Sequence, residues 1–308
     1  MSSDITLIVN PTAGRGRGAH AVRPAADALR AAGHAVRTLL GADPADALRR
    51  AREAVADGTG ALVAVGGDGM VSLALQAVAG TGTPLGVIAA GTGNDFARSQ
   101  GLPVRDPAAA ARLTAALLRD GAARAADLGR VTTPAGPRWY GTVLASGFDS
   151  RVNDRGNRMR LPAGRFRYDL AILAELAAFR PVPYRLVLDG RAVETDATLV
   201  AVGNGTSYGG GMRICAGART DDGLLDVTVV GDVTRATLLK VFPRVYRGTH
   251  LGHPAVTTYR ARSVTLDAPA TTGYADGEPL GPLPLRVDCD PGALMLLAPP
   301  QTRAKAPR

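Results

Sequence analysis

The tetrapeptide Gly66-Gly67-Asp68-Gly69 is where these residues could do chemistry. Glycines let a backbone pass close to a bulky anion with its N–H groups turned toward it. A carboxylate among such amides has a role if a divalent cation stands between it and phosphate oxygens. The same residues make a good tight turn, so the motif alone leaves both readings open. Asn10-Pro11-Thr12-Ala13-Gly14, continued by Arg15-Gly16-Arg17-Gly18, reads as a glycine-rich turn able to wrap phosphates with amides and guanidinium groups. It is not a Walker A loop, because no Gly-Lys-Ser/Thr follows. A third glycine run, Gly91-Thr92-Gly93-Asn94-Asp95-Phe96, supplies another acid. Farther on, Asp222-Gly223 and Asp276-Gly277-Glu278 read first as turns between strands, since Asp-Gly is a strong hairpin signal.

Short buried strands are expected over residues 5–9, 35–40, 62–65 and 85–90. Helices are expected over 19–32, around Leu48, Ala51 and Val55, and over 71–78 and 107–119. This alternation predicts a parallel sheet covered on both faces. Its three glycine loops then open at one edge, where such sheets bind ligands. Past Asp127 the rhythm changes to strands over 138–146, 184–188, 192–202, 224–230, 255–266 and 284–297, with Asp189-Gly190 as a hairpin turn. Two helices interrupt them, over 166–179 and 234–246. The expected fold class is α/β plus β: a parallel α/β domain over 1–127, an antiparallel β-sandwich-like domain over 128–300, and a disordered basic tail over 301–308.

The 308 residues suffice for two domains with their own cores. Abundant alanine and glycine read as compositional bias rather than a fold signal. Lys and Arg number 36 against 27 acids, a net charge of +9. Such a surplus suits an anionic partner, such as a nucleotide, a nucleic acid or an acidic lipid surface, and it also serves solubility. No aromatic-rich motif supports nucleic-acid binding. The two cysteines, Cys215 and Cys289, fit no metal-ligand spacing and suit a reducing compartment. The amino terminus lacks the order of a signal peptide, and no apolar run approaches the ~20 residues needed to cross a bilayer. The expectation is a cytoplasmic protein that is soluble or rests on a membrane surface. The densest basic stretch holds Arg151, Arg155, Arg158, Arg160, Arg165 and Arg167, interleaved with Met159, Leu161 and Phe166. It is expected to meet anionic headgroups, with a solvated loop as the alternative.

Taken in order, Asn10-Pro11 with Gly14, Gly66 to Gly69, Gly91 to Phe96, Asp222-Gly223-Leu224-Leu225-Asp226 and Asp276-Gly277-Glu278 resemble the diacylglycerol kinase catalytic family. Bacterial soluble lipid kinases and sphingosine and ceramide kinases share this layout. The resemblance spans nearly the whole chain. It implies an amino-terminal nucleotide-binding domain and a carboxyl-terminal β-rich domain, with ATP and Mg²⁺ in the cleft between them. Carried over, Asn10, Pro11, Thr12, Ala13, Gly14, Gly66, Gly67, Asp68, Gly69, Met70, Val71 and Ser72 would cradle the phosphates. Thr92 and Asn94 would add nucleotide contacts from the third loop, with Thr38 a further candidate. Asp68 and Asp95 would organise Mg²⁺ through waters. A second Mg²⁺ would take the backbone carbonyls of Arg219 and Leu224 and the carboxylate of Asp222.

The resemblance also implies a proton acceptor at Glu278, with Asp276 close behind, and a supporting role for Asp127. The family's Gly-Gly-Asp-Gly-Thr-x-Asn-Glu appears here with Met70, Ser72 and Leu73, so a threonine hydroxyl and two polar groups are missing. The implied reaction is ATP-dependent phosphorylation of diacylglycerol at an anionic membrane surface. Alternatives are a sphingoid base, ceramide or polyprenol as acceptor, an NAD kinase, or a catalytically weak nucleotide-binding sensor. Pairing of two copies into a homodimer stays open.

Overall fold

The computed structural model describes residues 4–147 and 181–301. Strand and helix alternate first: β1 (Asp4–Val9), α1 (Ala13–Ala31), β2 (Ala35–Leu40), α2 (Pro44–Ala56), β3 (Ala61–Gly66), α3 (Asp68–Val78), β4 (Leu85–Ala89), α4 (Asp95–Ser99) and α5 (Pro107–Arg119). The strands lie in the order β2, β1, β3, β4, all parallel. β3 is buried along its whole length, as an unbroken apolar run in a sheet covered on both faces requires. The alanines are more than composition. α1 buries Ala21, Ala25 and Ala26, and α5 buries Ala110, Ala111 and Ala115, in one shared core. Small side chains let these two helices lie close on the same sheet face.

Two expectations about the loops need correction. The stretch after Asn10 is not a free turn, because α1 already begins at Ala13. Asn10 Oδ1 accepts the Thr12 N–H at 3.0 Å and the Thr12 hydroxyl at 2.8 Å, which turns the chain into the helix. Gly14 has φ +60°, and a Cβ there would strike the carbonyl oxygen of Ala90. That glycine presses the first turn of α1 against the end of β4. Asp68, expected in mid-loop, is the first residue of α3, with Gly67 at its N-cap.

The second half holds β5 (Arg124–Thr133), β6 (Gly136–Tyr140), β7 (Val143–Gly147), β8 (Val182–Leu188), β9 (Arg191–Gly203), β10 (Leu225–Gly231), α6 (Arg235–Arg247), a 3-10 turn (Thr249–Gly252), β11 (Val256–Ala261), β12 (Ser263–Asp267), β13 (Thr272–Ala275), β14 (Glu278–Pro282) and β15 (Leu285–Leu296). Its strands pair antiparallel around Tyr140, Leu186, Val200, Val227 and Val264, all buried. β15 joins the halves. Leu285 and Val287 lie in the β-rich core, whereas Leu294 and Leu296 lie in the α/β core. Leu296 pairs parallel with Leu85, so the described strands form one 15-stranded sheet. β5, which runs antiparallel along β15, was not expected.

Each of two expected long strands is broken in the middle. β6 and β7 part at Gly141–Thr142, and β11 and β12 part at Arg262. In both places a distant aspartate takes the amides that a continuous ladder would use. Gln301, expected in the tail, exchanges hydrogen bonds with Thr220. The helix expected over 166–179 and the basic stretch from Arg151 to Arg167 lie outside the described residues.

Candidate active site

Three connections leave the carboxyl ends of β1, β3 and β4 at one edge of the parallel sheet. Gly67 and Gly91 cross there, and a Cβ on Gly67 would lie 3.1 Å from the Gly91 Cα. Arg17 ties the first loop to the third, donating from Nε to the Gly14 carbonyl at 3.0 Å and from Nη2 to the Gly91 carbonyl at 2.8 Å. Asn94, at φ 57°, accepts the Gly91 N–H at 2.9 Å and donates to the carbonyls of Gly91 and Val104. Its side chain is therefore used inside the loop, while Thr92 is exposed. Pro11 and Thr12 are exposed at the entry to α1, with Ala13 and Gly14 half-buried behind them.

Met70, Val71 and Ser72 are buried in α3 and can offer an anion only backbone. The amides of Met70 and Val71 already bond the Gly67 carbonyl at 3.0 and 3.2 Å. Asp68 and Gly69 thus head the helix, whose amino end carries partial positive charge. Thr38 is exposed on the outer strand β2, opposite Leu7 and two residues short of Leu40, so it stands back from this edge.

Two acids lie together at the third loop. Asp68 accepts the N–H groups of Asn94 at 2.7 Å and Phe96 at 3.2 Å, and so caps α4 from outside it. Asp95 Oδ2 accepts the Gly210 N–H from the β-rich half at 2.6 Å. Gly93 separates the pair: a Cβ there would lie 2.6 Å from Asp68 Oδ2 and 3.4 Å from Asp95 Oδ2. Burial raises both carboxyls above the usual carboxylate range, and the charge of Asp68 adds to the rise at Asp95. Asp95 Oδ1 is buried and has no hydrogen-bond partner among the described residues. The nearest guanidinium nitrogen, Arg98 Nε, is 4.0 Å away. Adjacent hard-oxygen ligands with one buried oxygen unused fit a divalent cation.

The β-rich half faces this pair with the hairpin of β13 and β14. Asp276 accepts the amides of Gly141 and Thr142 at 2.9 Å each, together with the Thr142 hydroxyl. Burial raises its carboxyl to about 6, and the charge of Asp68 adds to the rise. Glu278 opens β14 opposite Ala275 and is exposed. Phe96 packs against Gly141 and Ser99 approaches Gly205, so α4 is wedged between the halves.

Asp127 is buried and accepts Gly223 N–H at 2.7 Å and Gly292 N–H at 2.9 Å, beside a register shift in β15. Asn204 donates to the carbonyls of Asp127 and Gly141. Sequence reading missed Asn204 and Gly210. The available signal was Asn204-Gly205 followed by Gly209-Gly210-Gly211 directly after a strand.

The residues suggested for a second cation are arranged differently. Asp222 accepts the Leu224 N–H at 3.2 Å with one oxygen, and the guanidinium of Arg260 lies on the other. The Arg219 guanidinium is held by Asp221 at 2.9 and 3.1 Å. The Asp222 charge is already matched by Arg260, so the triad does not fit an open cation site. Among the described residues, no group of three or more His, Cys, Asp or Glu side chains could hold a metal.

Both halves match known domain families. Residues 4–131 match the diacylglycerol kinase catalytic domain, and residues 142–298 match the YegS C-terminal NAD kinase beta sandwich-like domain. A protein of Mycobacterium tuberculosis H37Rv named diacylglycerol kinase is 46% identical over 297 residues, covering 96% of this chain and 95% of its own. A Xanthomonas axonopodis pv. citri protein named "Probable lipid kinase YegS-like" is 33% identical, covering 90% of this chain and 91% of its own. The crystal structure of a diacylglycerol kinase from Bacillus anthracis shares the fold, with a TM-score of 0.72 over 97% of each chain at 21% identity. No described helix is long and apolar enough to cross a membrane. The chain belongs to the diacylglycerol kinase catalytic-domain family and is a lipid kinase.

Proposed function

We propose that this lipid kinase transfers the γ-phosphoryl group of ATP, as its magnesium complex, to the hydroxyl of diacylglycerol, giving phosphatidic acid and ADP. The observation that carries the reading is the placement of three acids where the halves touch: Gly210 donates to Asp95, and Phe96, whose amide Asp68 accepts, packs on Gly141, whose amide Asp276 accepts. Phosphoryl transfer asks little covalent work of a protein, so positioning and charge stabilisation dominate. The amides of Asp68 and Gly69 at the amino end of α3, beside the first turn of α1 from Asn10 to Gly14, hold the phosphates, with Thr92 at the outer rim. Asp68 and Asp95 are the acids that would hold the cation, the second through its unused Oδ1. Bound there, a divalent cation would offset the charge on the phosphate oxygens.

Glu278 receives the proton of the acceptor hydroxyl. That oxygen bonds to the γ-phosphorus, and the bond from phosphorus to ADP breaks with its electron pair leaving on ADP. Asp276 holds the hairpin that presents Glu278. The test is transfer of label from γ-labelled ATP to mixed micelles of diacylglycerol, sphingosine, ceramide or polyprenol with Mg²⁺. Label in phosphatidic acid is expected. Asp68→Ala and Glu278→Ala should each lower transfer by about two to four orders of magnitude. Exclusive labelling of another lipid overturns the substrate, and an active Glu278→Ala overturns the assignment of the acceptor.

A further inference from the structure

From residue 233 to residue 266 the chain contains no Asp or Glu. Within this stretch, α6 carries Lys240, Arg244 and Arg247, all exposed. Spacings of four and three residues align them in one stripe along the helix. None of the three pairs with an acid among the described residues, whereas Arg260 within the same acid-free stretch does. The opposite face is fastened down. Val241 is buried, and Val245 packs on the cluster of Ile214 and Cys215. Phe242 and Tyr246 meet edge to face, with ring centroids 5.9 Å apart.

α6 rests on the segment that closes the cleft. The Arg213 N–H donates to the Val245 carbonyl at 3.1 Å, and His250 Nε2 lies 3.0 Å from the Ile214 carbonyl oxygen. Three residues before Arg213, Gly210 donates to Asp95. On a lipid kinase, a cationic stripe on a fastened helix beside the cleft is complementary to an anionic bilayer surface. We propose that the Lys240–Arg244–Arg247 face of α6 docks this protein on anionic lipid, setting the cleft against the leaflet that supplies its acceptor. This rests on the lipid-kinase reading and adds to it the surface of contact. In sequence it lies apart from the basic stretch at Arg151 to Arg167.

The test uses the full chain and vesicles of phosphatidylcholine with or without phosphatidylglycerol. Wild type should sediment with the anionic vesicles and release at high salt. Lys240→Glu combined with Arg244→Glu and Arg247→Glu should lose well over about a hundredfold in partitioning. The corresponding triple Gln variant should fall between them. Both variants should keep the wild-type circular dichroism spectrum and turnover on water-soluble short-chain diacylglycerol. Unchanged sedimentation of the Glu variant, with short-chain turnover intact, overturns the docking face and leaves the kinase reading standing. Charge-dependent sedimentation in a protein that phosphorylates no diacylglycerol supports the docking face and overturns the substrate instead. Retention on random duplex DNA with no vesicle binding overturns the proposal in favour of a nucleic-acid surface.

Discussion

Asp189 and Asp276 hold the same place in two hairpins. Each is a left-handed residue before a glycine, at φ 48° and 49°, and each carboxylate takes the amides of two consecutive residues where a neighbouring strand is broken. Asp189 does so on the surface for Arg262 and Ser263. Asp276 does so in the cleft for Gly141 and Thr142, under the charge of Asp68. The device is therefore structural in both places, and only one of them lies beside the proposed site. Asp189→Ala and Asp276→Ala should each lose about 1–3 kcal/mol of stability through unpaired amides. Only Asp276→Ala should also lower kcat, because the anchor of the strand bearing Glu278 is gone. Denaturant unfolding and steady-state turnover of the two variants check this.

Burial moves the Asp276 carboxyl from 3.8 to about 6. The folded state then holds that proton more tightly than the unfolded state. Its contribution to stability is fully present below pH 3.8 and is lost as pH rises through about 6. Asp276→Asn removes the titration. The stability of the variant relative to wild type should rise between pH 4 and pH 6 and then level off, as read by urea midpoints at fixed ionic strength.

Asp95 is a buried acid beside another acid, with one oxygen unpaired. Asp95→Asn keeps an acceptor for the Gly210 amide while removing the like-charge repulsion. The variant should gain about 0.5–2 kcal/mol of stability and lose turnover, the trade-off expected where a site is held under strain for function. Wild type should gain more in thermal midpoint on addition of Mg²⁺ and ATP than the variant does. An Asp95→Asn enzyme with normal turnover and an unchanged Mg²⁺ requirement would remove this acid from the proposed cation site.

Gln76 stands in for a missing strand. From α3 it donates to the Trp139 carbonyl at 2.7 Å and accepts the Trp139 N–H at 3.0 Å. It thereby joins the α/β half to β6. Gln76→Leu leaves both backbone groups without that partner and should cost about 2–4 kcal/mol. Hydrogen exchange at the Trp139 amide should accelerate more than exchange at Val63, in the middle of β3.

The sequence by itself determined the alternation of strand and helix, the three glycine connections and the two Asp-Gly hairpins. Each of those is written in local periodicity or in a residue suited to one backbone conformation. It also marked Asp68 and Asp95 as acids within glycine runs, whereas Asp276 and Glu278 read first as a hairpin turn and took a role only from the family resemblance. Tertiary structure decided what those acids face. Gly210 reaches Asp95 from 115 residues away, and Gly141 reaches Asp276 from 135. It decided that β15 threads both cores, and that expected strands break where a distant carboxylate takes their amides. It also set Arg260 on Asp222 where family resemblance suggested a metal ion. Periodicity reports which face of an element is buried, not which other element buries it, so contacts between residues more than a hundred positions apart appear only once the sheet has closed.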